Sequence, residues 1–280
     1  MLGVVESCGA GVDAWLGKRV VAMTKGAIGG YAEFAICPVV SAFEMPVSIP
    51  LPGAAALYFP FHLAWLGLFD RAELRAGESV LIHAAAGGSG SAAIQLAVNA
   101  GARVFATAGS EAKLALCREL GAEVAIHYGE SDFAQIVMEK TGNRGVDVVF
   151  DNVGAAVMEK SLNGAAYNGR YLMMGFASDK TVADEKFIVP RRVLAGNLKL
   201  CGVLLAYAPD AVAGLLKKGM GWNFVPSSTG ERITREVVAQ VEAGKIKPVI
   251  GRVAKFESIP AEIDAMARRE TTGRTIVTFD

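Results

Sequence analysis

The residues whose order most plainly implies chemistry stand near position 80. A short apolar run, Ser79-Val80-Leu81-Ile82-His83, leads into Ala84-Ala85-Ala86-Gly87-Gly88-Ser89-Gly90. This A-x-x-G-x-x-G pattern, placed between a strand and a helix, suits a pyrophosphate. Gly87 and Gly88 let the main chain approach an anion, Gly90 allows close helix–strand contact, and the helix N-terminus favours negative charge. Ala86, Gly87, Gly88, Ser89 and Gly90 are therefore the candidate phosphate turn of a dinucleotide site. The alternative is a structural glycine turn without a cofactor. The strand before, the helix after and the further βα units favour the nucleotide.

The end of the next strand selects the nucleotide. An NAD site carries Asp or Glu there for the ribose 2′-hydroxyl. This chain has Thr107-Ala108-Gly109-Ser110, with Lys113 one turn on. Ser110 and Lys113 suit a 2′-phosphate instead, so NADPH is the expected cofactor. A charge-assisted hydrogen bond contributes roughly 1.5–3 kcal/mol, which is about ten- to hundredfold in affinity. Ser110 also reads as a helix cap, Lys113 as a solvated residue, and Glu111 opposes a phosphate mildly.

The elements that must carry these residues alternate. Apolar strands are expected over 79–83, 103–107, 124–126, 146–150, 171–174 and 198–205. Helices are expected between them, over 90–100, 111–120, 132–140, 155–163 and 190–196. Such alternation predicts an α/β fold with a doubly wound parallel sheet and a ligand crevice at the carboxyl ends of the strands. Residues 1–61 hold short β-like pieces at 20–23 and 31–37. The tail holds helices near 231–243 and 260–269 and a strand over 275–278. Residues 1–61 and 206–280 are expected to form one domain interrupted by a Rossmann domain over 62–205.

Composition narrows the function. The chain has 28 basic and 28 acidic residues, a balance that argues against a nucleic-acid partner. Cys8, Cys37, Cys117 and Cys201 form no C-x-x-C, which argues against a zinc lobe or a disulfide framework. Residues 79–102 lack charge, but three glycines interrupt them, so a buried strand, turn and helix are expected rather than a membrane span. The N-terminus has no signal-peptide pattern, and a cytoplasmic protein is expected.

The run 80–90 with Gln95-Leu96-Ala97 resembles the zinc-independent medium-chain dehydrogenases/reductases, in the NADPH:quinone oxidoreductase (zeta-crystallin-like) branch. Gly29-Gly30-Tyr31-Ala32-Glu33-Phe34, Gly145-Val146-Asp147-Val148-Val149-Phe150-Asp151-Asn152-Val153-Gly154 and Thr271-Thr272-Gly273-Arg274 match in the same order. The resemblance implies a GroES-like catalytic domain made from both chain ends around the Rossmann domain. It implies that Tyr128 joins Ser110 and Lys113 at the 2′-phosphate. It implies that Asn152, Gly175, Phe176 and Ala177 lie near the ribose and nicotinamide, and that Arg269 contacts the cofactor. Three departures stand out. Gly3-Val4-Val5-Glu6 resembles a segment that several dozen residues precede in the family, including its usual Asn and Tyr. Leu63 stands where Thr is common, and Ser89 where Val is common.

The implied reaction is hydride transfer from NADPH to a quinone or an α,β-unsaturated carbonyl, without zinc. An enoyl-thioester reductase and a non-catalytic NADPH-binding relative are the alternatives. His62, Tyr31 and Tyr207 are the remaining hydrogen-bond donors, each with a core role as its plainer reading, and no catalytic residue is assigned. His62, His83 and His127 lie in separate segments, so no metal ligand set is expected. Asp151 is expected to fix local backbone. The apolar run 198–205 at a sheet edge predicts a homodimer. A shortened front predicts exposed apolar faces and unpaired edges on the strands at 3–5 and 20–23, with low turnover and aggregation.

Overall fold

The computed structural model describes residues 1–174 and 190–279. The chain divides into two units, Met1–His62 with Leu204–Asp280, and Leu63–Val203.

The first unit opens with three antiparallel strands, β1 (Leu2–Val4), β2 (Arg19–Ala22) and β3 (Ala42–Glu44), with β2 in the middle. Contrary to the expectation for 20–23, β2 has no unpaired edge, being paired on both sides, and Val20, Val21 and Ala22 are buried. Val4 on the edge strand β1 is exposed. Residues 31–37 are not a strand. Their neighbourhood offers one backbone bond, Lys25 N–H to the Ile36 carbonyl at 2.8 Å, and no ladder. Tyr31, Phe34 and Ile36 are exposed there. Helix α1 (Tyr58–Trp65) follows and runs through the boundary between the units.

The second unit is an α/β sheet. Its strands are β4 (Ser79–Ile82), β5 (Arg103–Ala108), β6 (Val124–His127), β7 (Val146–Asp151), β8 (Ala165–Met173) and β9 (Lys199–Gly202). They pair in parallel in the order β6-β5-β4-β7-β8-β9. The connecting helices are α2 (Gly88–Asn99), α3 (Glu111–Glu119), α4 (Phe133–Lys140), α5 (Ala155–Asn163) and α6 (Pro190–Gly196). Every residue of β4 and β7 is buried, as central parallel strands covered on both faces require. Leu81, Phe105, Ile126, Val149 and Tyr171 form one core across five strands. Asp147 is buried in β7 and accepts from the Ser79 N–H and hydroxyl at 2.8 and 2.9 Å. Burial opposes its ionisation, but Arg144 and these donors outweigh it and hold the carboxyl below the usual range.

Strand β8 begins at Ala165, earlier than residue 171. Its pairing with β7 shifts from Val146–Ala165 to Val148–Arg170. The intervening residues include an exposed Tyr167 and Asn168 at φ +62°. The Asn168-Gly169 pair lies at an irregularity inside the strand.

The first unit resumes with β10 (Tyr207–Ala208), α7 (Asp210–Met220), β11 (Val225–Pro226), α8 (Ser227–Glu242), β12 (Ile250–Lys255), α9 (Ile259–Ala267) and β13 (Arg274–Thr278). β10 pairs with β11 and β12 with β13, both in parallel. Among the described residues no helix is long and apolar enough to cross a membrane.

Candidate functional site

The strand order of the second unit reverses at β4, so a crevice opens beside the carboxyl end of β4, between the connections on either side. The phosphate turn stands there. The turn from β4 is held by two bonds: the Ala85 N–H donates to the Thr107 carbonyl at 3.1 Å, and the Gly87 N–H to the Ala84 carbonyl at 3.0 Å. Gly87 is the N-cap of α2 and offers no side-chain bond, and the first turn of α2 has no acid. By contrast, Ser110 caps α3 and Asp132 caps α4 with their side chains. The leading amides of α2 thus keep their donors for an anion. A Cβ at Gly90 would collide with the Ala84 carbonyl and stand 2.6 Å from the Ala85 Cα. Only glycine allows this helix to approach the turn so closely. Ala86 is buried beneath, and Gly88 and Ser89 are half-buried. These residues fit a dinucleotide pyrophosphate.

The ends of β5 and β6 carry the second cluster. The Tyr128 N–H donates to the Ala108 carbonyl at 3.2 Å, extending the β5–β6 ladder by one residue. The Tyr128 ring then lies over Gly109, where a Cβ would stand 2.5 Å from the hydroxyl and 2.8 Å from Cζ. Tyr128 is 45% exposed. The Ser110 oxygen accepts the Lys113 N–H at 3.4 Å. That cap uses an oxygen lone pair and leaves the Ser110 O–H free to donate. Lys113 is half-buried on the first turn of α3. Gly109, Ser110, Lys113 and Tyr128 thus share one corner of the sheet, and none of them is an acid. Gly109 escaped the reading of the sequence. Its signal was a glycine directly after a strand, which marks close approach.

On the other side of β4, Asp151 ends β7. Its carboxylate accepts from the Val153 and Gly154 N–H groups at 2.7 and 3.0 Å and from the Tyr171 hydroxyl. It is buried and shapes the backbone on which the half-buried Asn152 sits. Gly175, Phe176 and Ala177 lie outside the described residues. Arg269 belongs to the first unit, exposed just beyond α9 with φ +60°.

The three other donor candidates also belong to the first unit. Tyr31 is exposed. His62 is buried at 2% exposure, with Nδ1 2.8 Å from the Tyr207 hydroxyl and Nε2 3.1 Å from Thr234 Oγ1. The Thr234 hydroxyl donates to the Gly230 carbonyl at 2.8 Å. Its one proton is thereby spent, so His62 Nε2–H donates to Thr234 and the Tyr207 O–H donates to Nδ1. Burial pushes the His62 imidazole down to about 3, so it is neutral. Gly230 on α8 makes room for this cluster, because a Cβ there would meet Phe43 Cε1 at 2.6 Å. Leu63 is buried beside His62 in α1.

Comparison with known proteins adds the family. The model of the zinc-binding dehydrogenases matches residues 88–220. The quinone oxidoreductase of Rattus norvegicus is 31% identical over 243 residues, which is 85% of this chain and 72% of that protein. This chain belongs to the quinone oxidoreductase branch of the medium-chain dehydrogenases/reductases. Other members are similar in structure. A mycobacterial protein solved in complex with NADPH has a TM-score of 0.84 at 27% identity, over 99% of this chain and 80% of that one. The quinone oxidoreductase of Pseudomonas syringae pv. Tomato DC3000 has a TM-score of 0.82 at 27% identity, over 99% of this chain and 79% of that one. A second group of relatives is larger. Highly-reducing polyketide synthase 1 of Aureobasidium melanogenum is 40% identical over 179 residues, 62% of this chain but only 8% of that protein. As a quinone oxidoreductase relative, the chain is an oxidoreductase with the Rossmann-like α/β fold.

Proposed function

We propose that the chain binds NADPH and transfers a hydride to a quinone or an α,β-unsaturated carbonyl without zinc. The observation that carries the cofactor is the end of β5, which has no acid and where Gly109, Ser110, Lys113 and Tyr128 gather beside an uncapped α2; Glu111 in the first turn of α3 is paired with Arg118. The mycobacterial neighbour in complex with NADPH supports it. In this reading the α2 amides hold the pyrophosphate and the Gly90 contact keeps them aimed at it. The Ser110 hydroxyl, the Lys113 ammonium and the Tyr128 hydroxyl hold the 2′-phosphate. Asn152, with residues 175–177, orients the ribose and nicotinamide. When bound, the cofactor supplies the hydride. The chain supplies binding and alignment.

The quinone is supported by the name of the quinone oxidoreductase relatives, and a conjugated carbonyl by the lack of a readable metal ligand set. Among the described residues no group of three or more His, Cys, Asp or Glu side chains is arranged to hold an ion. Both ring nitrogens of His62 and of His83 are engaged with side chains of the protein. A carbonyl already activated by conjugation does not require a Lewis acid. The test is NADPH oxidation with a 1,4-quinone and with an enone, before and after chelation. Activity lost on chelation and restored by Zn²⁺ would overturn the metal-free reading.

A second reading is an enoyl-thioester reductase, favoured by the polyketide synthase relatives and by structural likeness to the CurF ER cyclopropanase, with a TM-score of 0.79 at 25% identity. Turnover of a 2-enoyl thioester well above that of quinones would select it.

We read the assembly as a homodimer through β9. It is an edge strand, and Leu200 is partly exposed, with Leu204 just beyond the strand. Beside it runs a groove lined by Tyr167, Val193, Leu194, Leu198 and Leu200. An open edge with an apolar margin invites its own copy across a two-fold axis. The four cysteines are free, which suits the reducing cytoplasm.

A further inference from the structure

His83 closes β4 directly beneath the phosphate turn and takes no part in the chemistry described above. It is 1% exposed, and burial pushes its imidazole down to about 3, so it is neutral. Both ring nitrogens are engaged. Nδ1 lies 3.0 Å from Thr107 Oγ1, and Nε2 lies 2.8 Å from Ser161 Oγ. The Ser161 hydroxyl donates to the Val157 carbonyl at 2.7 Å, which spends its proton. His83 Nε2–H therefore donates to Ser161, and the Thr107 hydroxyl donates to His83 Nδ1. The ring is held in place by the edge of Phe133, at 4.8 Å between centroids.

The two partners belong to opposite sides of the crevice. Thr107 is the second-last residue of β5, two residues before Gly109 and three before Ser110. Ser161 is in α5, the helix that follows Asn152 and Gly154. The main chain at the same level makes a parallel bridge. The His83 N–H donates to the Phe150 carbonyl of β7 at 3.0 Å, and the Ala85 N–H to the Thr107 carbonyl of β5 at 3.1 Å. Ser161 stands in the last turn of α5, while the Asp151 carboxylate holds the Val153 and Gly154 N–H groups at the other end of the helix. The His83–Ser161 bond ties the body of the helix to the end of β4, and the helix carries that tie to the segment at Asn152.

We propose that His83 is a positioning residue that couples the two halves of the cofactor platform: the adenosine corner at the end of β5 and the Asn152 segment that leads into α5. This rests on the reading of the crevice as an NADPH site. A buried, neutral, doubly bonded imidazole is tied to both sides at once; without it the Thr107 hydroxyl loses its acceptor, and Ser161 keeps only its bond to the Val157 carbonyl within α5.

The test compares ligands that use one side or both. NADPH spans both, and adenosine 2′,5′-bisphosphate uses only the β5 corner. For His83→Leu the expected result is an NADPH Kd raised about tenfold, with the Kd for adenosine 2′,5′-bisphosphate changed less than twofold. A merely structural role would weaken both ligands together. His83→Gln, whose amide can accept from Thr107 and donate to Ser161, should recover most of the NADPH affinity. Should His83→Leu not fold, Ser161→Ala removes the bond to α5 alone and should show the same ligand-selective loss. Equal weakening of the two ligands, or unchanged NADPH binding in a folded variant, overturns the proposal. Wild-type protein that binds neither ligand overturns the NADPH reading instead.

Discussion

Tyr128 lies across the end of β5 because residue 109 is a glycine: a Cβ there would stand 2.5 Å from the tyrosine hydroxyl. The contact is with the far end of an exposed side chain, so Gly109→Ala should displace the ring at little cost in stability. The expected result is a melting temperature within about 3 °C of wild type and NADPH affinity lowered about tenfold. Fluorescence titration with the reduced cofactor measures it. Unchanged affinity would remove Tyr128 from the 2′-phosphate corner.

Lys113 tests the choice of nucleotide. Lys113→Ala should weaken NADPH by roughly ten- to hundredfold, the scale of one charge-assisted bond. NADH should change little, since it lacks the 2′-phosphate. Parallel titrations with both cofactors check this, and equal losses would contradict the assignment.

The buried imidazoles set an acid limit on stability. His62 and His83 are pushed down to about 3 from an ordinary 6.5. The unfolded chain binds these protons below about pH 6.5, and the folded chain does not until near pH 3. Their contribution is therefore complete above about pH 6.5 and falls as pH drops toward 3. Each group costs up to about 1.4 kcal/mol per pH unit in that window. Urea unfolding at pH 7.5 and pH 5.0 should show a loss of about 2–4 kcal/mol, smaller in His83→Gln. A flat profile would mean the rings are not buried as described.

The edge of the sheet gives a solution test. Sedimentation at micromolar concentration should show a dimer, and Leu200→Lys, which places a charge on the open strand, should shift it to monomer. A wild-type monomer would defeat the β9 interface.

Much of the second unit was legible in the sequence. β4, β5 and β7 are apolar on both faces, which central parallel strands require, and the glycine turn lay between the first strand and its helix. β8 begins at Ala165, before the expected 171, and its first half carries an exposed Tyr167 and a positive-φ Asn168 that break the apolar run. The first unit was less legible. β10 and β11 have two residues each, too few for any periodicity, and α7 has no buried residue to mark a core face. Residues 31–37 alternate like a strand, but strand identity depends on a partner. Within the site, Ser110 and Lys113 followed from position after β5. Tyr128 needed the family resemblance. The His83 network could not be read, since its partners lie 24 and 78 residues away.

Hydride transfer from NADPH to a conjugated carbonyl is open to a single-turnover experiment. Protein loaded with NADPH is mixed anaerobically with a 1,4-quinone, and absorbance at the reduced-nicotinamide band is followed. The expected result is a decay that requires both protein and quinone, is retained after chelation, and is much weaker when NADH replaces NADPH at the same low concentration. Tight NADPH binding with no decay against any quinone, enone or enoyl thioester would contradict it and leave a cofactor-binding protein without redox activity.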